Sequence, residues 1–223
     1  MSQQNENETH TAIGPLDKLP PDVRDASAFF ALPVQTLCPT LISQKQITSR
    51  TNPHTGQLQL LTVDVLSILR RTLPADAFCA VGITMRDLYP SPSWNFVFGE
   101  ASLSEHVGVF SFARYDPAFY GIQTSDRGAL TLRRSCKVLA HETSHMFGIQ
   151  HCIFFKCLMN GSNHLDESDR RPLHLCPVDL RKLHHSIGFD INKRYADLLT
   201  FAHRAGLNDE AEWLDKRLRT LAA

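Results

Sequence analysis

The residues best suited to chemistry lie in one stretch of the chain, from His141 to His151. His141 and His145 are four residues apart, so on a helix they share one face and can bind one zinc ion at about 2.0–2.1 Å. Gly148 can turn the chain out of the helix through a left-handed conformation, which lets His151 return as a third ligand. Glu142 lies beside the metal without binding it, where it can take a proton from a water and return it to a leaving amine. The pattern predicts a catalytic zinc site whose fourth position stays open.

The same residues also have a structural interpretation. Glu142 would then be a solvated helix residue, and His151 a polar residue after the end of the helix. A bare HExxH pattern arises by chance in roughly a few per cent of chains like this one, and the added glycine and third histidine make the zinc interpretation far more specific. The sequence therefore favours a metallohydrolase.

The six cysteines fall into two groups. Cys152, Cys157 and Cys176 follow the histidine motif closely, and their thiolates could bind a second, soft metal ion. The polar amino terminus has no apolar segment of signal-peptide type, which favours the cytosol or the nucleus and therefore a reducing compartment. Metal binding is accordingly preferred to disulfide formation for this trio. The remaining cysteines are expected to be isolated, buried thiols: Cys38, Cys79 and Cys136.

The composition is that of an ordinary globular protein. The 223 residues are 43% hydrophobic and 21% charged, enough for one sizeable core. Lysine and arginine together number 23, as do aspartate and glutamate, so no net field favours nucleic acid or an anionic membrane. No apolar window reaches the roughly 18 residues of a membrane span. These features predict no nucleic-acid partner and no membrane association, and leave the oligomeric state open.

Hydrophobic periodicity predicts an α+β fold: a mixed twisted sheet packed on an active-site helix, followed by a mostly helical carboxyl-terminal part. Residues 1–25 are expected to be a flexible tail, 26–205 one domain and 206–223 a final helix. Either strand 95–99 or strand 107–115 is a candidate shelf for an extended peptide. The predicted elements are helices at 58–73, 132–147, 178–187, 192–205 and 209–221, and strands at 78–85, 95–99 and 107–115.

These motifs together resemble the archaemetzincins, zinc metallopeptidases of the metzincin clan marked by HExxHxxGxxHCx4CxM followed by CxxC. The match runs from His141 through Cys157 and Met159, with Cys176 opening the last motif. The resemblance covers about residues 75 to 200 and includes the stretches 87–90, 94–99, 110–115 and 160–163. It implies a metzincin catalytic domain that acts on peptide or protein substrates, with His141, His145 and His151 on the catalytic zinc and Glu142 as general acid/base.

The resemblance also implies a Met-turn and a second zinc ion. Met159 would support the three imidazoles from beneath, although from the sequence alone it is simply a core methionine. A structural zinc would bind Cys152, Cys157, Cys176 and a fourth cysteine, but this chain has Asp179 at the fourth position. Aspartate oxygen can bind zinc at about 2.0–2.2 Å. Three alternatives stay open: His174 as the ligand, His184 as the ligand, or a weakly occupied second site. His164 and His185 are expected to be solvated.

The leading hypothesis is a zinc peptidase with two zinc ions per chain, one catalytic and one structural. One alternative is a zinc-stabilised binding or regulatory protein whose peptidase activity is latent or absent. Another is a zinc hydrolase acting on something other than peptides. Tyr195 could donate its hydroxyl to an oxyanion, but a tyrosine in the core is the preferred interpretation.

Overall fold

The computed structural model describes residues 11–12, 26–37, 39, 41–42, 45–162 and 164–222. The tail predicted for residues 1–25 lies outside these ranges except at Thr11–Ala12, and so do Cys38 and Asn163. Contacts divide the described residues into two units. The first unit combines Thr11–Ala12 with residues 37–114, and the second combines residues 26–36 with residues 115–222.

Short strands and one helix build the first unit. Its described elements are β1 (Thr11–Ala12), β2 (Leu41–Ile42), β3 (Ser49–Thr51), β4 (Leu58–Leu61), β5 (Ala80–Thr84), β6 (Asp87–Tyr89), β7 (Gly99–Ser102), β8 (Val107–Ser111) and the helix α2 (Thr62–Thr72). In one sheet β4 pairs antiparallel with β3 and parallel with β6. In another, β8 pairs parallel with β5 and antiparallel with β7. Both three-stranded sheets are therefore mixed.

The core of the first unit lies where α2 meets the strands. Val65 and Leu66 of α2 are buried in one cluster with Leu60, Leu88 and Val109. A buried ion pair supports the same unit, because Arg114 donates two 2.8 Å hydrogen bonds to the carboxylate of Asp87. Burial of the apolar side chains in this cluster is the main stabilising contribution, because strands this short are not stable alone.

The helix predicted for 58–73 is wrong in its first turn. Leu58–Leu61 form β4, and the helix begins only at Thr62. The apolar residues of this stretch fit helical spacing, but Leu58 and Leu60 also alternate as in a strand. β4 pairs with β3 on one side and β6 on the other, so its backbone groups form hydrogen bonds on both sides. This pairing favours the strand over the helix that the apolar spacing also allowed.

The strand predicted for 95–99 is also wrong. Only Val97 makes a bridge there, with Leu88, and the true strand starts at Gly99. The carbonyl of Asn95 instead accepts hydrogen bonds from side chains, including Gln59 at 2.9 Å. This segment is a loop closed by amide groups.

The strand predicted for 107–115 ends earlier than expected. β8 stops at Ser111 and a short 3-10 helix, Ala113–Tyr115, follows. β8 also lies between β5 and β7, so both of its edges are paired. It is therefore not an edge strand on which an extended peptide could add.

Helices build the second unit. They are α1 (Ala26–Phe30), α3 (Arg127–Met146), α4 (Leu165–Arg170), α5 (Pro177–Ile187), α6 (Ile191–Arg204) and α7 (Asn208–Ala222), with a 3-10 helix at Pro117–Tyr120. The last three helices agree with the sequence prediction to within about a residue at most ends. α3 begins five residues before the predicted Leu132, and neither α1 nor α4 was predicted.

The α+β class is confirmed, with the strands concentrated in the first unit and the helices in the second. The boundaries predicted for the domain at 26–205 and the final segment at 206–223 stay a prediction. None of the helices in the described ranges combines the length and the apolar character that a membrane crossing requires.

Candidate metal centre

The helix α3 brings two of the predicted ligands together. Its buried side carries Val138, Leu139 and His141, and the next turn presents the half-buried His145. The two rings are nearly perpendicular, at 89°, and their Nε2 atoms lie 3.2 Å apart. Helical spacing thus produces the paired arrangement that the sequence predicts.

A left-handed residue after α3 returns the third imidazole. Gly148 has φ +79° and donates a 2.9 Å hydrogen bond to the carbonyl of His145, which closes the helix. A side chain at this position would strain the backbone. The chain then reverses, and Nε2 of the exposed His151 lies 3.2 Å from Nε2 of His141.

The protonation of the rings suits a metal ion. Nδ1 of His141 donates to Leu158 O at 2.8 Å, and Nδ1 of His145 donates to Ile149 O at 2.6 Å. With these protons on Nδ1, Nε2 of each of the two rings carries a lone pair that is available to a metal ion. Burial lowers the pKa of His141 to about 3, against the opposing effect of the Leu158 hydrogen bond, so the ring is neutral.

The dimensions of the cluster also fit. Tetrahedral zinc with bonds of about 2.0–2.1 Å places its nitrogen ligands about 3.3–3.4 Å apart. The two measured Nε2 separations are 3.2 Å. Converging lone pairs repel one another unless a cation lies among them, so the three imidazoles fit a zinc ion.

Glu142 directly follows His141 on α3 and is half-buried. Burial raises the pKa of its carboxyl to about 7, and the positive charge of Arg171 partly opposes that rise. A carboxyl with this pKa can exchange a proton with a reacting group near neutral pH. Tyr115 is buried close enough that the charge of Glu142 adds to the effect of burial in raising the pKa of the phenol.

Arg171 is a site residue that the sequence analysis missed. Its side chain is buried, and it donates from Nη1 to Asn160 O and from Nη2 to Ser168 Oγ, both at 2.8 Å. Nη1 also lies 2.9 Å from Nδ1 of His141. The proton on Nδ1 of His141 is donated to Leu158 O, and a guanidinium cannot accept a hydrogen bond. The short distance therefore places a positive charge beside the ring without a hydrogen bond.

The helix α4 explains why Arg171 is positioned here. Asp169 of α4 forms a bidentate ion pair with Arg134 of α3, with contacts of 2.9 and 2.6 Å. Lys137 of α3 donates to the carbonyl of Asp169 at 2.8 Å. Arg171 follows directly after α4, so these contacts orient it toward the histidines. A single buried arginine after a six-residue helix leaves no periodic signal in a sequence.

The second predicted cluster forms within the same unit. The ligand atoms of Cys152, Cys157, Cys176 and Asp179 lie within 4.8 Å of one another. The sulfurs of Cys152 and Cys176 are 3.9 Å apart, close to the roughly 3.8 Å that Zn–S bonds of about 2.3 Å impose in a tetrahedron. Oδ2 of Asp179 lies 3.3 Å from Cys157 Sγ and 3.5 Å from Cys176 Sγ.

Backbone amides surround the sulfurs of this cluster. Cys157 Sγ accepts from the amides of Met159 and Cys176 at 3.4 and 3.1 Å, and Cys176 Sγ accepts from the amide of Asp179 at 3.4 Å. Burial raises the pKa of the Cys157 and Cys176 thiols, but these amide donors oppose that rise and favour the thiolate, which is the form that binds metal. The four residues therefore also fit a zinc ion.

The structure brings Asp179 to the cluster and neither of the alternative histidines. His174 stacks on Trp213 and donates to Glu210, with 3.0 Å between Nδ1 and Oε2. His184 lies edge-on against Phe189. Burial raises the pKa of Asp179, but hydrogen bonds from Lys182 and the two thiols outweigh it, so the net pKa is lowered and the carboxylate stays charged.

Met159 lies in a tight turn between the two clusters. Its side chain is fully buried, and its carbonyl accepts a 2.9 Å hydrogen bond from the amide of Cys152. The side chain of Asn160 closes the adjoining loop by donating to Cys152 O at 2.7 Å and Phe155 O at 2.8 Å. These hydrogen bonds hold Cys152 close to the turn that follows Cys157.

The remaining predicted residues lie away from these clusters. His164 and His185 are exposed, as expected. Tyr195 is buried edge-on against Trp213, which supports its interpretation as a core tyrosine. Cys136 is buried as predicted, whereas Cys79 is only half-buried.

Comparisons with known proteins agree with this chemistry. The sequence profile of peptidase family M54 matches residues 45–185. Archaemetzincin-2 of Mus musculus is 46% identical over 204 residues, which cover 81% of this chain and 57% of that protein. The chain thus spans little more than half the length of that curated relative.

Two solved structures are also similar. A zinc-dependent peptidase from Methanocorpusculum labreanum aligns with a TM-score of 0.60 at 27% identity, covering 76% of this chain and 94% of that one. Archaemetzincin from Archaeoglobus fulgidus, solved in complex with malonate, aligns with a TM-score of 0.53 at 29% identity, covering 72% and 88%.

Proposed function

This chain belongs to peptidase family M54, and from that membership we propose that it hydrolyses peptide bonds as a zinc-dependent peptidase. The resemblance to the archaemetzincins is confirmed by relatives and solved structures of that name. The observation that carries the proposal is the convergence of His141, His145 and His151, with Nε2 of His141 3.2 Å from Nε2 of each of the other two rings.

In the proposed mechanism the three imidazoles hold the catalytic zinc. A zinc ion held there would supply Lewis acidity, which would make a water more acidic and polarise a carbonyl group. The carboxylate of Glu142 accepts the proton that the attacking water loses and returns it to the nitrogen of the leaving amine. The hydrogen bonds from His141 to Leu158 O and from His145 to Ile149 O keep the rings oriented throughout.

The second zinc has a structural role in this proposal. Cys152, Cys157, Cys176 and Asp179 would bind it, giving two zinc ions per chain. Because Cys152 directly follows His151, this site would hold the third catalytic ligand in place. Met159 would form the Met-turn beneath the imidazoles, within a peptidase domain at 26–205 followed by a terminal helix.

The substrate would be a peptide or a protein, and neither nucleic acid nor a membrane is proposed as a partner. The balanced charge of the chain supports that choice. The cytosol or the nucleus is the proposed location, because the cluster of Cys152, Cys157 and Cys176 with Asp179 suits metal binding in a reducing compartment.

Replacing Glu142 with glutamine tests the mechanism. Glu142→Gln keeps the shape of the side chain but removes the proton acceptor, so peptide cleavage should fall by about 10²- to 10⁴-fold while zinc content stays unchanged. Turnover can be measured with a mixed peptide library read by mass spectrometry, and zinc by elemental analysis. Glu212→Gln is a matched control, because Glu212 is exposed and pairs with Lys216 on the surface of α7.

Retained turnover in Glu142→Gln would remove this residue from the mechanism. The alternative is a zinc-stabilised binding or regulatory protein with latent or absent activity. Failure of the zinc-loaded wild-type chain to cleave any peptide in the same library would favour that alternative.

A further inference from the structure

A cavity of about 260 Å³ opens on the second unit next to the cysteine cluster. Its lining includes Phe155, Lys156, His174, Tyr195, Trp213 and Arg217. The rings of His174 and Trp213 stack at 3.6 Å with only 7° between their planes, so they form one flat wall. The volume lies just below the roughly 300–1,000 Å³ of pockets that enclose whole small ligands. The cavity therefore suits a single side chain better than a cofactor.

The charge on the cavity wall is unbalanced. Within the described residues neither Lys156 nor Arg217 belongs to an ion pair, and Nε of Arg217 is buried without a hydrogen-bond partner. Glu210 does not neutralise them, since its carboxylate accepts from Nδ1 of His174 at 3.0 Å and from the amide of Leu173 at 2.8 Å. Buried donors are normally paired, so the wall offers a place for an anionic group.

Two large apolar side chains are exposed on the loop that leads into the cavity wall. Ile153 and Phe154 are 81% and 82% exposed, and they directly precede the lining residues Phe155 and Lys156. The loop that carries them is closed by the hydrogen bonds of Asn160 to Cys152 O and Phe155 O. Ile153 and Phe154 are therefore exposed on a loop that is held by hydrogen bonds. Adjacent exposed apolar residues commonly mark a surface that binds another chain.

We propose that this cavity and the side chains of Ile153 and Phe154 form a docking site for an acidic, apolar segment of a peptide substrate. A glutamate or aspartate side chain of the segment enters the cavity between Lys156 and Arg217. Apolar side chains on either side of it contact Ile153 and Phe154. The two cations would attract the acidic side chain of such a peptide, and the exposed apolar groups would contact its apolar side chains.

The occupant follows from the position of the loop. The chain passes directly from His151 to Cys152 and then to Ile153, so a peptide held here lies on the segment that supplies a catalytic ligand. The choice of a substrate as the peptide rests on the proposed function. The binding of the segment itself does not, because it requires no hydrolysis.

Intrinsic fluorescence can test the site directly. The chain has two tryptophans, Trp94 and Trp213, and only Trp213 lines the cavity. In a Trp94→Phe, Glu142→Gln chain loaded with zinc, a peptide with one glutamate between two leucines, blocked at both ends, should change the Trp213 emission saturably. The same peptide with glutamine should bind about tenfold more weakly, and raised salt should reduce the difference.

Charge and apolar variants locate the binding. Arg217→Gln and Lys156→Gln should each remove most of the preference for glutamate. Arg219→Gln on the same helix should not, because Arg219 is exposed and pairs with Asp215. Phe154→Ser should weaken both peptides equally, whereas Leu221→Ser, at another exposed apolar residue, should change nothing.

Equal affinity for the two peptides, or a preference that survives Arg217→Gln and Lys156→Gln, would overturn the proposal. A dimer in sedimentation that Phe154→Ser dissolves would also overturn it, because the surface would then belong to a second copy. With wild-type chain, cleavage of peptides without acidic residues would uphold the peptidase even if docking failed. Glutamate-selective binding without any cleavage would uphold docking to a peptide and reject its role as a substrate.

Discussion

Asp179 is the residue whose chemistry departs most from the archaemetzincin pattern. A carboxylate loses its proton far more easily than a fourth thiol, and Lys182 offsets its charge at 2.8 Å from Oδ1. We expect Asp179→Ala to reduce the zinc content from two ions per chain to one, since only three cysteines would remain. Asp179→Cys should retain two. Elemental analysis of dialysed protein measures both.

Asp209→Ala is the control for this change, because its side chain is 84% exposed and lies outside both clusters. Two zinc ions in Asp179→Ala would exclude the carboxylate as a ligand. One ion in the wild-type chain would show that the cysteine cluster does not hold metal.

Arg171 should matter for stability as well as for the site. Arg171→Met removes the donor to the part-buried carbonyl of Asn160 and to the buried hydroxyl of Ser168. We expect the free energy of unfolding to fall by about 2–4 kcal/mol, as one or two unsatisfied polar groups would cost. Chemical denaturation measures the change. An unchanged midpoint would show that the guanidinium contributes nothing, and Arg170→Met, one residue earlier, serves as the comparison.

At the scale of elements, β7 depends on the absence of a side chain at Gly99. A Cβ there would overlap the ring of Phe110 and lie 2.7 Å from the carbonyl of Val109. We expect Gly99→Ala to lower the free energy of unfolding by about 1–3 kcal/mol through overpacking. Gly128→Ala is the matched control, because nothing lies within 4 Å of its Cβ position on α3, and it should stabilise the helix by up to about 1 kcal/mol. Thermal unfolding distinguishes the two, and equal shifts would contradict the packing argument.

The helices of the second unit were largely predictable from the sequence and the strands of the first were less so. Tyr195, Leu198 and Phe201 are buried on one side of α6, so their spacing alone indicates the helix. Leu58–Leu61 had no such signal, because four residues fit a helix and a strand equally. The histidines and cysteines were predictable because metal binding restricts both residue type and spacing. Arg171 was not, since its role depends on how α4 is attached to α3.

At the scale of the whole molecule, both metal clusters draw on residues 141–179, which belong to the second unit alone. Removing zinc should therefore loosen that unit selectively, because metal binding stabilises only the state that binds it. With a chelator present, hydrogen exchange should accelerate by about tenfold or more in the amides of 152–160, while β8 keeps its protection. Added zinc should restore the slow exchange. An equal loss of protection in β8 would contradict the selective effect.

The second unit is built from two separate parts of the sequence, and this order affects how the protein folds during synthesis. Residues 26–36 are synthesised before the bulk of the first unit, yet Phe30 stacks on Phe147 and the carbonyl of Phe29 accepts from Arg194 at 2.7 Å. Domains generally fold as units during synthesis. A nascent chain that has passed Arg114 can hold a folded first unit while the phenylalanines of α1 still await partners that have not been translated. We therefore expect chaperones to bind Phe29 and Phe30 first. Zinc should bind the cysteine cluster only after Asp179 has left the ribosome.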